Sequence, residues 1–372
     1  MRILSIDMGT GTQDILLFDS AQPVENNIKL VMPSATKIAE GRIRRATAAA
    51  EPLLLTGVIQ GGGPCNWAVE DHMRDGGVAY ATPEAAQTID DDLDAVTRMG
   101  IRIVSEEEAK LLPDDVQRVE LKDLDLPAIR AALAAFDVSP HFDGIALACL
   151  DHGAAPPGYS DRLFRFDHLK RVVGAKNDLS AFAFLPDELP EYLTRARTMM
   201  ATARAQDPDT PSVFLDTGPA AAIGALQDPR VAEAETQLVL NLGNMHALAF
   251  HLRGMQIISL YEHHTGELSR EQIEDFTERL IAGTLPHEDV FNSKGHGVFY
   301  ADATASAPRS EHPLVAVTGP QRGKIRNSRL DPYFATPHGD MMISGCFGLL
   351  RAFAAKYPAR AGEIERALSG ER

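Results

Sequence analysis

A chain of 372 residues is long for one hydrophobic core, so two lobes are the expectation. With 44% apolar and 24% charged residues it has a globular composition, and no apolar run nears the length of a membrane span. Its net charge of −16, from 52 acids against 36 bases, argues against a general nucleic-acid binder, whose affinity comes from Lys and Arg.

The amino terminus, MRILSIDMGTGTQDILLFDS, enters a strand pattern at once and has no signal-peptide layout, so a cytoplasmic protein is expected. Ile3, Leu4 and Ile6 lead into Asp7, the turn runs Gly9–Thr10–Gly11–Thr12, and residues 15–18 lead out. A third strand is expected over 27–33 and a polar, partly helical stretch over 34–50. Residues 53–59 form an apolar run ending in Gly61–Gly62–Gly63–Pro64, a strand-to-helix turn of an α/β unit. A helix is expected over 83–99, a short strand over 101–104 and an Ala-rich helix over 127–136 opened by Pro127. Residues 144–150 read as a buried strand ending in Asp151–His152–Gly153.

Helices follow over 187–205, then a strand over 212–215 that runs into the small-residue helix DTGPAAAIGAL. The opening pattern then returns. In TQLVLNLGNMHALAFHL an apolar strand reaches Gly243–Asn244 and a second strand leaves from Ala247, with a third over 255–260. Ser269-x-x-Gln272 has capping-box spacing and opens a helix to residue 282. A strand over 314–318 ends in Gly319–Pro320, and an apolar helix over about 341–357 closes the pattern. Alternating strands and helices mean α/β, and the twice-used hairpin start means two lobes of similar topology.

These segments, in this order, resemble the actin, sugar kinase and Hsp70 ATPase superfamily. IDMGTGTQDI is similar to its first phosphate loop, DTGPAAAIGAL to its first connecting helix and LNLGNMHALAF to its second phosphate loop. VAVTGPQRG resembles its adenosine loop and DMMISGCFGLLRAF its second connecting helix. The resemblance implies two actin-like (ribonuclease H-like) lobes around an interlobe nucleotide cleft, expected as residues 1–211 and 212–372, with the last helix packing back on the first lobe. It also implies ATP and Mg²⁺. The closest branch carries the label pyruvate formate-lyase activating enzyme-like. Radical chemistry of that kind needs three clustered thiolates, and Cys65, Cys149 and Cys346 are scattered with no CxxC.

Under this resemblance Asp7 orients Mg²⁺, while Gly9, Thr10, Gly11 and Thr12 meet the phosphates; Asp14 is read as steadying the turn. Gly243, Asn244 and His246 are the second-loop candidates, and Gly319 and Pro320 would hold the adenosine. The second loop has Asn241 where the family has an acid, which weakens the case for hydrolysis more than that for binding. Asp151 and Asp161 are the candidate general bases, taking a proton from a small-molecule acceptor or from water. Gly61 to Trp67 offers a backbone that a ligand can approach closely. His263–His264 and Gly295–His296–Gly297 lack known metal-motif spacing and read as polar loop histidines, with metal binding left open. Arg322, Lys324, Arg326 and Arg329 form a basic run, either solvated or facing an anion. The expected function is thus an ATP-binding phosphotransferase or ATPase; a nucleotide-dependent switch without turnover is the alternative, and a homodimer stays open.

Overall fold

The computed structural model describes residues 1–301 and 312–370. The chain opens with an antiparallel meander, β1 (Arg2–Met8), β2 (Thr12–Asp19) and β3 (Ile28–Pro33). It then leaves for an inserted unit made of α1 (Ala35–Ala49), β4 (Leu53–Gly57), α2 (Pro64–Arg74), β5 (Ala79–Ala81), β6 (Arg102–Ile103) and β7 (Gln117–Leu121). Those four strands form their own parallel sheet in the order β6-β5-β4-β7. The chain returns through β8 (Gly144–Cys149), α3 (Asp161–Ala175), β9 (Ala183–Phe184), α4 (Thr194–Gln206), β10 (Ser212–Asp216) and α5 (Thr217–Ala225). The first sheet is therefore β3-β2-β1-β8-β10-β9, with β8 parallel to β1 and β10 parallel to β8.

The second sheet repeats the plan. β11 (Gln237–Leu242), β12 (His246–Arg253) and β13 (Gln256–His264) form the meander, followed by α6 (Arg270–Ala282). Then come β14 (Gly297–Tyr300), β15 (Leu314–Thr318), β16 (Tyr333–Phe334), α7 (Ser344–Lys356) and α8 (Pro358–Ser369). The order β14-β13-β12-β11-β15-β16 has β15 parallel to β11 and β16 parallel to β15. Both sheets have the ribonuclease H-like arrangement, and the fold is a pair of actin-like lobes.

Side-chain alternation explains why each sheet is covered on both faces. In β8 every residue is buried, yet Ala146 and Ala148 join one core while Ile145, Leu147 and Cys149 join another. The first of these cores is shared between the lobes: Ile3, Leu16 and Phe18 of the first sheet meet Val239, Leu248 and Phe250 of the second through α5 and α7. The small residues of those two helices bring their backbones together. A Cβ on Gly224 would overlap the Ser344 carbonyl oxygen, and one on Gly348 the Ala220 carbonyl oxygen.

Several expected elements differ in detail. The helix expected over 83–99 is two short helices, Pro83–Ala86 and Leu93–Arg98. The aspartates between them favour turn and cap roles: Asp90 accepts from the Asp92 N–H, and Asp92 accepts from the Asp94 N–H to cap the second helix. The helix expected from 187 begins at Thr194, and α8 follows the one taken as last. α3 had no counterpart in the expected elements. The lobe boundary expected at 211/212 also shifts, because Ser212–Asp216 pairs with β8 and belongs to the first sheet. The capping box at Ser269 and Gln272 forms as expected. No helix among the described residues is long and apolar enough to cross a membrane.

Candidate functional site

The two hairpins close their turns with the same bond. Gly9 N–H donates to the Thr12 carbonyl at 2.9 Å, and Gly243 N–H donates to the His246 carbonyl at 3.0 Å. The turns come from opposite lobes and touch: a Cβ on Gly11 would overlap Asn244 Nδ2. Beside them opens a cleft of about 1110 Å³. Met8, Gly9, Thr10 and Thr217 from the first lobe line it, as do Asn241, Gly243, Asn244 and His246 from the second. Gly61, Gly62 and Gly63 at the start of α2, with Asp90 and Asp91, form the wall contributed by the inserted unit. Asp161, at the first turn of α3, lines the cleft too.

Other candidates lie outside the lining. Asp7 faces Asp14 directly across the β1–β2 pair, and Thr217 Oγ1 donates to Asp7 Oδ1 at 2.6 Å. Burial raises Asp7 to about 6 despite the Thr217 bond, with Asp216 adding to the rise. Burial and the neighbouring Asp7 raise Asp14 to about 7, and Asp14 Oδ1 is a buried acceptor without a hydrogen-bond donor. Gly11 and Thr12 belong to the turn but not to the cleft wall. Gly319 and Pro320 are not in the lining itself; Gly319 packs on the second hairpin against the lining residue Asn241, and Gln321 N–H donates to the Leu242 carbonyl at 2.9 Å. Asp151 is buried with both carboxylate oxygens engaged, one by Gly153 N–H at 2.8 Å and the other by Ala196 N–H at 2.9 Å in the first turn of α4. Its carboxylate holds the local chain together. Two members of the basic run are internal ties: Lys324 donates to the Thr265 and Leu268 carbonyls, and Arg329 pairs with Glu274 and Glu278.

The structure also gathers four histidines. His152 follows β8, His246 begins β12, His264 ends β13 and His296 precedes β14, and one ring nitrogen from each lies within 4.8 Å of the others. His246 and His264 are direct partners in the β12–β13 register, and His296 Nε2 is 3.4 Å from His152 Nε2. Gly297, at φ +150°, carries the chain past His287, whose ring would overlap any Cβ there. Burial lowers His152, His264 and His296 below the ordinary histidine range, so these rings are neutral near pH 7. His263 takes no part; it points to Ser293 Oγ and the His264 carbonyl.

Behind this group runs a buried ionic chain. His246 Nδ1 meets Glu262 Oε1 at 3.1 Å, and Arg165 Nε reaches Glu262 Oε2 at 3.2 Å. The same guanidinium pairs with Asp216, its Nη2 lying 3.1 Å from Oδ1. Burial alone would raise Glu262, but the Arg165 charge above all, with the His246 hydrogen bond, outweighs it and holds the carboxylate well below the usual range. Arg165 and Glu262 are wholly buried and lie in different lobes, so this chain also joins the halves. Arg162 adds a second tie, donating to the carbonyls of Phe291 at 3.0 Å and Gly295 at 2.6 Å.

The residues do not fit an iron–sulfur cluster. Cys65, Cys149 and Cys346 are free, buried and in three separate hydrophobic cores, so no trio of thiolates exists within the chain. They do fit a hard cation near Asp7 and Asp14, two facing carboxylates of which Asp7 raises the proton affinity of Asp14 and Asp14 keeps one oxygen without a donor.

No curated protein matches the chain. Among solved structures it is similar to the Lmo2764 protein of Listeria monocytogenes, described as "a putative N-acetylmannosamine kinase" (9% identity, TM-score 0.37, covering 96% of this chain and 100% of that one). It is similar to a Bacteroides thetaiotaomicron protein with an actin-like ATPase fold and unknown function (8% identity, TM-score 0.35, covering 92% and 94%). A third is the ROK hexokinase of Thermus thermophilus (11% identity, TM-score 0.30, covering 96% and 100%). At these values the likenesses bear no functional argument. A family model described as "Putative pyruvate format-lyase activating enzyme (DUF1786)" matches residues 60–324, and the chain belongs to that family, although its cysteines do not suit the chemistry the label names.

Proposed function

We propose that this protein binds Mg·ATP between its lobes and acts as a phosphotransferase or ATPase on a small-molecule acceptor or water. The observation that carries this reading is the meeting of two glycine turns, one from each lobe and closed by equivalent hydrogen bonds, at the edge of one large cleft. Glycine turns let backbone N–H groups approach phosphate oxygens. Asp7 and Asp14 would hold Mg²⁺, which supplies neutralisation of phosphate charge when bound. Thr217, through its hydroxyl, keeps one Asp7 oxygen oriented. Asp161 is the better-placed acceptor base, because it lines the cleft whereas both oxygens of Asp151 are committed to backbone donors.

A second reading, a nucleotide-dependent switch without turnover, draws on the second hairpin, where Asn241 brings no charge. Two measurements separate the readings. Mg·ATP is expected to raise the melting temperature of the wild type and not that of Asp7→Ala; no rise at millimolar nucleotide would overturn both. Phosphate release or acceptor phosphorylation is expected from the wild type and lost in Asp161→Asn. Tight binding with no release under any acceptor would leave the switch.

A further inference from the structure

We propose that His152, His246, His264 and His296 form a site for one divalent transition metal of the imidazole-preferring class, zinc or iron(II), bridging the two lobes at the cleft.

The geometry and chemistry of the four rings support it. The donors are all imidazole nitrogens, and their ring nitrogens converge within 4.8 Å of one another. Tetrahedral coordination at metal–nitrogen lengths of about 2.0–2.1 Å places ligand atoms about 3.4 Å apart. The His296–His152 nitrogen pair already has that separation, 3.4 Å. The remaining pairs close by side-chain rotation. Oxygen-preferring cations such as Mg²⁺ find no carboxylate among the four donors, whereas imidazole suits zinc, iron, nickel and copper.

The outer shell has the form that metal-binding histidines need. Glu262 Oε1 engages His246 Nδ1 at 3.1 Å, and the Lys294 carbonyl engages His264 Nδ1 at 2.9 Å. Each acceptor fixes the proton on Nδ1 and leaves Nε2 as the donor. Glu262 is itself locked by Arg165, so the carboxylate cannot turn away.

The arrangement is hard to explain as packing alone. Two imidazole nitrogens facing each other at 3.4 Å can share a single proton, but such a bond leaves the His246 and His264 rings outside it. One cation takes a lone pair from all four. His152 comes from the first lobe and the other three from the second, so the ion completes its shell only when the cleft is closed. The site opens on the same cleft as the proposed nucleotide and shares His246 with the second turn, whereas Asp7 and Asp14 take no part in it.

The test uses the full-length protein, stripped by a chelator and then titrated with Zn²⁺ against a chromophoric competitor and with Co²⁺ by visible absorption. One equivalent per chain is expected, with the d–d bands of a nitrogen-ligated Co²⁺ site. His264→Ala and His152→Ala are each expected to weaken binding at least about 100-fold, and Glu262→Gln about 10- to 100-fold. His263→Gln, whose ring points to Ser293 instead, is expected to bind metal as the wild type does. Failure of the stripped wild type to take up an equivalent overturns the proposal, and this result needs no variant to fold. Unchanged affinity in His264→Ala and His152→Ala proteins that still melt cooperatively overturns it too. Loss of the ATP-induced melting shift with metal uptake intact would strike the nucleotide reading alone.

Discussion

The two hairpins share a backbone and differ in what they carry. At the same register position the first sets Asp7 against Asp14, whereas the second sets Asn241 against Leu248. Charge absent from the second turn reappears just beyond it, in the Glu262 that lies behind His246. The two sheets share the frame that brings the turns together and differ in the chemistry set within it: carboxylate oxygens at the first, imidazole nitrogens beside the second. The single buried Arg165 stands between them, bound to Asp216 beside the first and Glu262 beside the second.

The largest expected effect comes from removing that shared residue. Arg165→Ala leaves two buried carboxylates unpaired and is expected to cost about 3–5 kcal/mol, read as lost stability in urea unfolding. A loss under about 1 kcal/mol would mean that the hairpins are not coupled through it. Next is the asymmetry itself. Asp7→Ala is expected to lower phosphate release about 100-fold, the scale of losing one preorganised charge-stabilising group. Asn241→Ala is expected to stay within about fivefold, the scale of one neutral hydrogen bond. Equal losses would break the comparison.

A smaller effect concerns pH. With folded values of about 6 for Asp7 and about 7 for Asp14, against 3.8 for an ordinary aspartate, the native state holds protons that the unfolded chain has released. Stability of the magnesium-free protein therefore falls as pH rises from near 3.8 to about 7. Asp14→Asn is expected to flatten that decline, raising the melting temperature at pH 7 by about 2–4 °C relative to wild type. A decline as steep as the wild type's would show that the pair does not store this repulsion. The smallest effect is expected from Thr217→Val, which removes one donor from Asp7 at about 1 kcal/mol and moves the acidic limb of the pH–rate profile upward.

Much of the frame was legible because hairpins are local. Ile3, Leu4 and Ile6 before a Gly turn, and the same layout near Gly243, announce themselves within twenty residues. α3 was hidden because Arg165 and His168, buried polar residues, interrupt its apolar stripe. The histidine group was hidden for another reason. Its members lie at four distant positions and meet only when β12 and β13 pair and the first lobe supplies His152. One available signal was that three of them stand at strand ends on the same side of one sheet. Asp151 was read for chemistry from its place after a strand, and what the sequence did not show is that both of its carboxylate oxygens accept backbone N–H bonds.

The backbone contacts of Gly224 with Ser344 and of Gly348 with Ala220 have a mechanical meaning. Where helices interlock through large side chains, turning one against the other must unseat teeth from sockets. Here the helices meet backbone to backbone at Gly224 and Gly348, where no side chain of the glycines has to be unseated when one helix turns against the other. The lobes are expected to swing about that bearing. Such a swing would carry His152 away from its three partners, making the proposed metal shell a latch that the hinge itself could release.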